Sequence, residues 1–172
     1  MIRSFRDSSP SIGANSYIDE SAVVIGDVEI GENCSVWPLT VIRADINKIR
    51  IGDNTNIQDG SVLHVTHKGE YSPDGAELRI GSQVTIGHKA LLHGCRIGNQ
   101  CLIGMGSIVT DNAVIEDQVI IGSGSLVPPG KVLESGYMYL GNPVTRKRAL
   151  TEREIEYLSY VADHYVLLTQ HY

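Results

Sequence analysis

The sequence predicts an all-β solenoid, a parallel β-helix of hexapeptide repeats with a C-terminal α-helix. Three observations predict it. Aliphatic residues recur every six positions: Ile12, Ile18, Val24, Ile30, Val36, Ile42, then Ile51, Ile57, Leu63, then Ile80, Ile86, Leu92, then Ile97, Ile103, Val109, Ile115, Ile121, Val127. A small or modest residue stands four places after most of them, as at Cys34, Thr40, Ser61, Ala90, Ser107 and Ser125. Gly often follows the aliphatic residue directly, as at Gly31, Gly52, Gly81, Gly98 and Gly122. The chain holds 18 Gly against one Phe and one Trp, a composition poor in bulky filler and rich in turn formers. A period of six fits neither a helix nor a plain alternation of faces. It fits a short strand plus a turn, three of which close one triangular coil.

Within each coil the aliphatic residue points inward and the small residue fills the corner. The Gly residues are expected to serve the tight backbone of the turns. We label the faces a, b and c from Ile12. Ile12, Ile18 and Val24 take a, b and c, and each later triplet repeats them. Three extra residues before Ile51 predict a local bulge that preserves the order. Residues 65–78, with Ser72-Pro73-Asp74-Gly75, predict a protruding loop. The solenoid is expected to span residues 1–130 and to end near Pro128-Pro129-Gly130. An irregular crossover over 131–150 follows, then a helix over 151–172. Thr151 and Glu154 form a capping box. Ile155, Leu158, Ala162, Tyr165 and Thr169 make a mostly apolar stripe that packs back on the solenoid within one domain.

Bulk properties narrow the function. The formal net charge of −6 argues against nucleic acid or an anionic membrane surface as a partner. No apolar run approaches the ~18 residues of a membrane span, and the first ten residues lack the apolar core of a signal peptide. Cys34, Cys95 and Cys101 are odd in number and not in CxxC pairs, which predicts reduced thiols in a cytoplasmic protein.

The histidines give the strongest functional signal. His64 follows Leu63 and His93 follows Leu92, so both take the same outward position on face c, one coil apart. Strands in such a stack lie ~4.8 Å apart, a spacing that one metal ion can bridge. His88 follows Gly87 on face b and cannot reach the same ion within one chain. A neighbour related by a threefold axis could supply it, which predicts a homotrimer with His64, His88 and His93 as metal ligands at each seam. The same logic sets Arg43 on face c against Asp59 on face b as an interface ion pair. Gln58 lies at that seam, with Asp45 and Asn56 within reach.

The order Arg43-Ala44-Asp45, Asn56-Ile57-Gln58-Asp59, His64 and His88-x4-His93 resembles the γ-class carbonic anhydrases and their bacterial relatives. The likeness covers essentially the whole chain, including Gly141-Asn142-Pro143 and the terminal helix. It implies a left-handed β-helix, a homotrimer, and a three-histidine zinc or ferrous site that hydrates carbon dioxide reversibly to bicarbonate through a metal-bound hydroxide. By that likeness, His64 and His93 come from one subunit and His88 from the next. Gln58 orients the hydroxide, and Tyr165 is the pocket tyrosine. The sequence departs from the best-characterised members at Ile46 and in Val65-Thr66-His67-Lys68-Gly69-Glu70, where an acidic proton-shuttle loop is absent. His67 and Glu70 are the candidates to replace it. Two other readings remain open: a hexapeptide-repeat acyltransferase, and a metal-binding relative with little anhydrase activity. Cys95 reads as packing rather than a fourth ligand, and His164 and His171 carry no assigned role.

Overall fold

In the computed structural model, which describes residues 1–172, the hexads stack face upon face as parallel strands. Ile12 pairs with Ile30, Ile30 with Ile51, Ile51 with Ile80, Ile80 with Ile97 and Ile97 with Ile115 on face a. On face b the series is Ile18, Val36, Ile57, Ile86, Ile103, Ile121. On face c it is Val24, Ile42, Leu63, Leu92, Val109, Val127. The result is a left-handed parallel β-helix with one C-terminal helix. These columns meet along the axis in one core of 32 buried residues. Each fully buried Ile or Leu contributes about 1.5–3 kcal/mol relative to exposure, and a coil gains this only by stacking on its neighbours. Corner residues add hydrogen bonds between coils: the Thr55 hydroxyl donates to the Gly81 carbonyl (2.9 Å) and the Ser61 hydroxyl to the Gly87 carbonyl (3.1 Å).

The expected bulge is present. Gly26 pairs with Ala44 and Val28 with Ile49, so residues 45–48 lie opposite Asp27 alone. Val41–Ile51 and Val23–Ile30 run through the c-to-a corner without a break. This bulge carries Asp45.

Three expectations need correction. The Gly residues that follow the aliphatic position do not supply the left-handed turns. Asn33, Asn54, Gln83, Gln100 and Gln118 do so at one corner, with φ between 51° and 56°. Gly52 and Gly81 are needed for close stacking instead: a Cβ on either would stand 2.7 Å from backbone of the next coil. The solenoid also runs past Gly130. Val132–Leu133 stacks on Val114–Ile115 and Tyr137–Gly141 on Ile120–Ile121, so much of the expected crossover is regular. Val144–Ala149 then turns back antiparallel against Tyr137–Gly141. Finally, Val65 and Leu78 are fully buried, and the protrusion between them has its own antiparallel bridges, Thr66 to Ala76 and Gly69 to Ser72.

Helix α1 spans Glu152–Leu168, with Thr151 and Glu154 forming the capping box. Leu158 and Ala162 are buried, and the helix lies against Asn56–Ile57 and Thr85–Ile86 on face b. No helix is long and apolar enough to cross a membrane.

Candidate metal centre

His64 and His93 are direct partners in the face c ladder. Their core neighbours Leu63 and Leu92 point inward, so the imidazoles point out. Nδ1 of His64 stands 3.1 Å from Nε2 of His93. The other nitrogen of each ring meets a carboxylate. His64 Nε2 is 3.0 Å from Asp45 Oδ1, and His93 Nδ1 is 2.5 Å from Asp111 Oδ1. An ionised carboxylate only accepts, so each ring donates its N–H outward. With both rings neutral, the two facing nitrogens are then lone pairs at hydrogen-bond distance, which a proton or a metal ion between them would satisfy. Burial, the largest influence, pushes the His64 pKa below its ordinary value against the opposing Asp45 bond. Two nitrogens bound tetrahedrally to zinc at ~2.05 Å lie about 3.3 Å apart, close to the spacing observed. Carboxylates on the outer nitrogens are the usual support of metal-ligating histidines. The donor set fits a divalent metal.

Asp45 is held in turn. Arg43 Nη1 donates to its Oδ2 at 2.5 Å. Burial raises the Asp45 pKa, but the bonds from His64 and Arg43 outweigh it and hold the carboxyl below the usual range.

Face b carries the other half of the predicted set. His88 Nδ1 is 2.9 Å from Asp59 Oδ2, one coil below. Gln58, 6% exposed, donates from Nε2 to Asn56 Oδ1 at 3.1 Å, and Asn56 Nδ2 donates to Thr85 Oγ1 at 2.9 Å. The Gln58 amide nitrogen is thus anchored, which leaves its Oε1 to accept. Tyr165 packs edge-on against Trp37, and its pKa is raised by burial and then by the charge of Asp59.

One chain does not unite the two halves. No three His, Cys, Asp or Glu side chains converge on one metal position. Arg43 and Asp59 likewise stay on separate faces with other partners. Asp111, Thr66 and Thr85 were missed in the sequence; Leu92 pairs with Val109, so Asp111 lies one position beyond the counterpart of His93 in the next coil. Cys95 is fully buried and its thiol is pushed up to about 12 by burial, so it packs rather than ligates. A cleft of about 640 Å³ between the 66–77 protrusion and face a holds none of the predicted site residues.

The six-repeat bacterial transferase hexapeptide model matches residues 9–44 and 94–129. Protein YrdA of Escherichia coli (strain K12) is 55% identical over 96% of this chain and 90% of its own length. Gamma carbonic anhydrase 2, mitochondrial, of Arabidopsis thaliana is 40% identical over 95% of this chain and 59% of its own length. The carbonic anhydrase of Geobacillus kaustophilus is 42% identical over 100% of this chain and 91% of its own. The chain belongs to the γ-class carbonic anhydrase-like family. A solved hexapeptide transferase family protein from Anaplasma phagocytophilum, 40% identical, superposes with a TM-score of 0.92 over 100% of this chain and 98% of that one. Transferase names thus occur beside anhydrase names around this γ-class carbonic anhydrase-like chain.

Proposed function

We propose that the protein is a metal-dependent lyase that hydrates carbon dioxide reversibly, with zinc or ferrous iron held between subunits of a homotrimer. The observation that carries this reading is the pair of imidazole nitrogens facing each other at 3.1 Å, each ring backed by a carboxylate on its other nitrogen. His64 and His93 would hold the metal from one subunit and His88 from the next. A divalent metal held there would lower the pKa of water to about 7 and so make hydroxide, the nucleophile carbon dioxide requires, available at neutral pH. The chain's own residues would do the rest. Gln58 Oε1, fixed by Asn56 and Thr85, would accept a hydrogen bond from the nucleophile and so turn the nucleophile's lone pair toward the substrate. Asp45 and Asp111 hold two rings in the required tautomer, and Asp59 holds the third. Tyr165 closes the pocket from helix α1.

The seam has an apolar counterpart. Val62, Leu91 and Ile108 stack in one outward column on face c and are 40%, 39% and 40% exposed. A facing subunit would cover them, and Arg43 would there meet Asp59.

The transferase names nearby favour a second reading, a single histidine base beside an acyl donor. A base needs one bare nitrogen facing substrate, whereas here two face each other.

The test has two arms. Protein purified anaerobically should carry close to one zinc or iron per chain and hydrate carbon dioxide. His88→Ala and His93→Ala homotrimers should each lose the metal. Unfolded and refolded together, they should regain it at seams where an intact face c meets an intact His88. A monomer that keeps one tightly bound metal per chain, or a mixture that regains none, would defeat the proposal.

A further inference from the structure

The 66–77 protrusion is linked by short hydrogen bonds, through Asp111, to a candidate metal ligand. Asp111 receives two groups. Oδ1 accepts from His93 Nδ1 at 2.5 Å and Oδ2 accepts from the Thr66 hydroxyl at 2.6 Å. Thr66 is the first residue of the protrusion, and its backbone is pinned on both sides. Its N–H donates to the Ala76 carbonyl (2.9 Å), and its carbonyl accepts from Ala76 N–H (3.0 Å) and from Asn47 Nδ2 (3.0 Å). Asn47 belongs to the bulge that carries Asp45. The neck of the protrusion and the bulge therefore brace one another beside the two imidazoles.

Gly94 shows that room is kept for this arrangement. It follows His93 with φ of 52°, and a Cβ there would stand 2.6 Å from Ala76 Cβ and 2.7 Å from Asp111 Oδ1. Any side chain at 94 would push apart the neck and the carboxylate. A lone carboxylate beside His93 could rotate about χ2 and lose its alignment. The Thr66 hydroxyl removes that freedom by occupying the second oxygen.

We propose that Thr66 and Asp111 are positioning residues of the candidate metal centre. Thr66 fixes the Asp111 carboxylate, and the carboxylate holds His93 as the Nδ1–H tautomer with Nε2 turned toward His64. The protrusion then serves to stiffen a ligand rather than to cover the site. This inference rests on the metal-centre reading above, so its test must separate the two.

Asp111→Ala, Asp111→Asn, Thr66→Val and Thr66→Ser are compared in the full-length assembled protein, with folding checked by circular dichroism. Zinc affinity is measured by competition with a chromophoric chelator. Loss of a residue that supports a metal ligand typically weakens metal binding 10–100-fold. Asp111→Ala should fall in that range, Thr66→Val should weaken binding by a smaller factor, and Thr66→Ser should restore it. If Thr66→Val does not fold, Thr66→Ala is read in its place. The second readout is ¹⁵N NMR of the imidazole nitrogens in metal-free protein. Parent protein should show His93 as the Nδ1–H tautomer, and Asp111→Ala should show a tautomer mixture. A parent that binds no zinc defeats the metal reading, and the tautomer then decides the inference alone. Asp111→Ala with unchanged zinc affinity, or with an unchanged tautomer, overturns it.

Discussion

His64 shows how the surroundings of one side chain bear on both stability and binding. Burial holds its pKa below the ordinary histidine value, so the folded chain prefers the neutral ring. The sign follows from linkage. A histidine with a lowered folded pKa contributes its stability above the unfolded value of about 6.5, and that contribution is lost as pH falls through the window below it. Metal-free protein should therefore melt at lower temperature as it is acidified from pH 7 to pH 5. His64→Gln should flatten that part of the profile, and a variant with the same slope as the parent would show that His64 is not the group responsible. At this scale the sequence was legible where hexad register fixed the direction of a side chain. His64, His88 and His93 all point outward as expected. Asp111 was not legible, because its partner lies one coil away and its own position is a corner, outside the strand pattern. The role of Asp45 as a histidine partner came from the bulge, whose path the spacing located but did not trace.

Among the elements, the coil spacing decides what a strand tolerates. Face assignment was readable throughout, since a six-residue aliphatic period admits one stacking order. The reason for the glycines was not, because the distance between coils appears only once they stack. Gly81→Ala places a methyl 2.7 Å from the Gly98 backbone. Overpacking of this kind costs about 1–3 kcal/mol, measurable as a lower denaturation midpoint; an unchanged midpoint would mean that the coils yield easily. The end of the solenoid was misplaced for a chemical reason. Leu133 and Tyr139 continue the period of six from Val127, but Pro128-Pro129-Gly130 resembles a stop and an aromatic ring replaced the expected aliphatic residue. In the structure that Pro-Gly stretch is another corner, and Tyr139 is buried at 4% exposure.

For the whole molecule, the decisive property is that the two halves of the site lie on different faces of one chain. Arg43 is the test residue. Within the chain it makes a half-exposed pair with Asp45, and such pairs are worth about 0–1 kcal/mol. Arg43→Ala should therefore leave the fold nearly intact. At a buried seam it would leave Asp59 without its cationic partner and with His88 alone, at a cost of about 3 kcal/mol. If the proposed trimer forms, the Arg43→Ala assembly should dissociate at higher protein concentration than the parent in analytical ultracentrifugation. Dissociation at the parent's concentration would count against the pairing.

The antiparallel strand Val144–Ala149 has a consequence of another kind. A stack of parallel coils is, in polymer terms, a filament halted after a few repeats, and each uncovered end is a seed to which another chain could add. On face b the last position is taken by a strand of opposite polarity, with the run Thr145, Arg146, Lys147, Arg148 at the rim. An incoming parallel coil would meet mismatched hydrogen bonds and concentrated positive charge, a common defence of sheet edges. The strand thus works as a chain terminator, and it limits the length of a structure whose internal rule, six residues repeated, contains no instruction to stop.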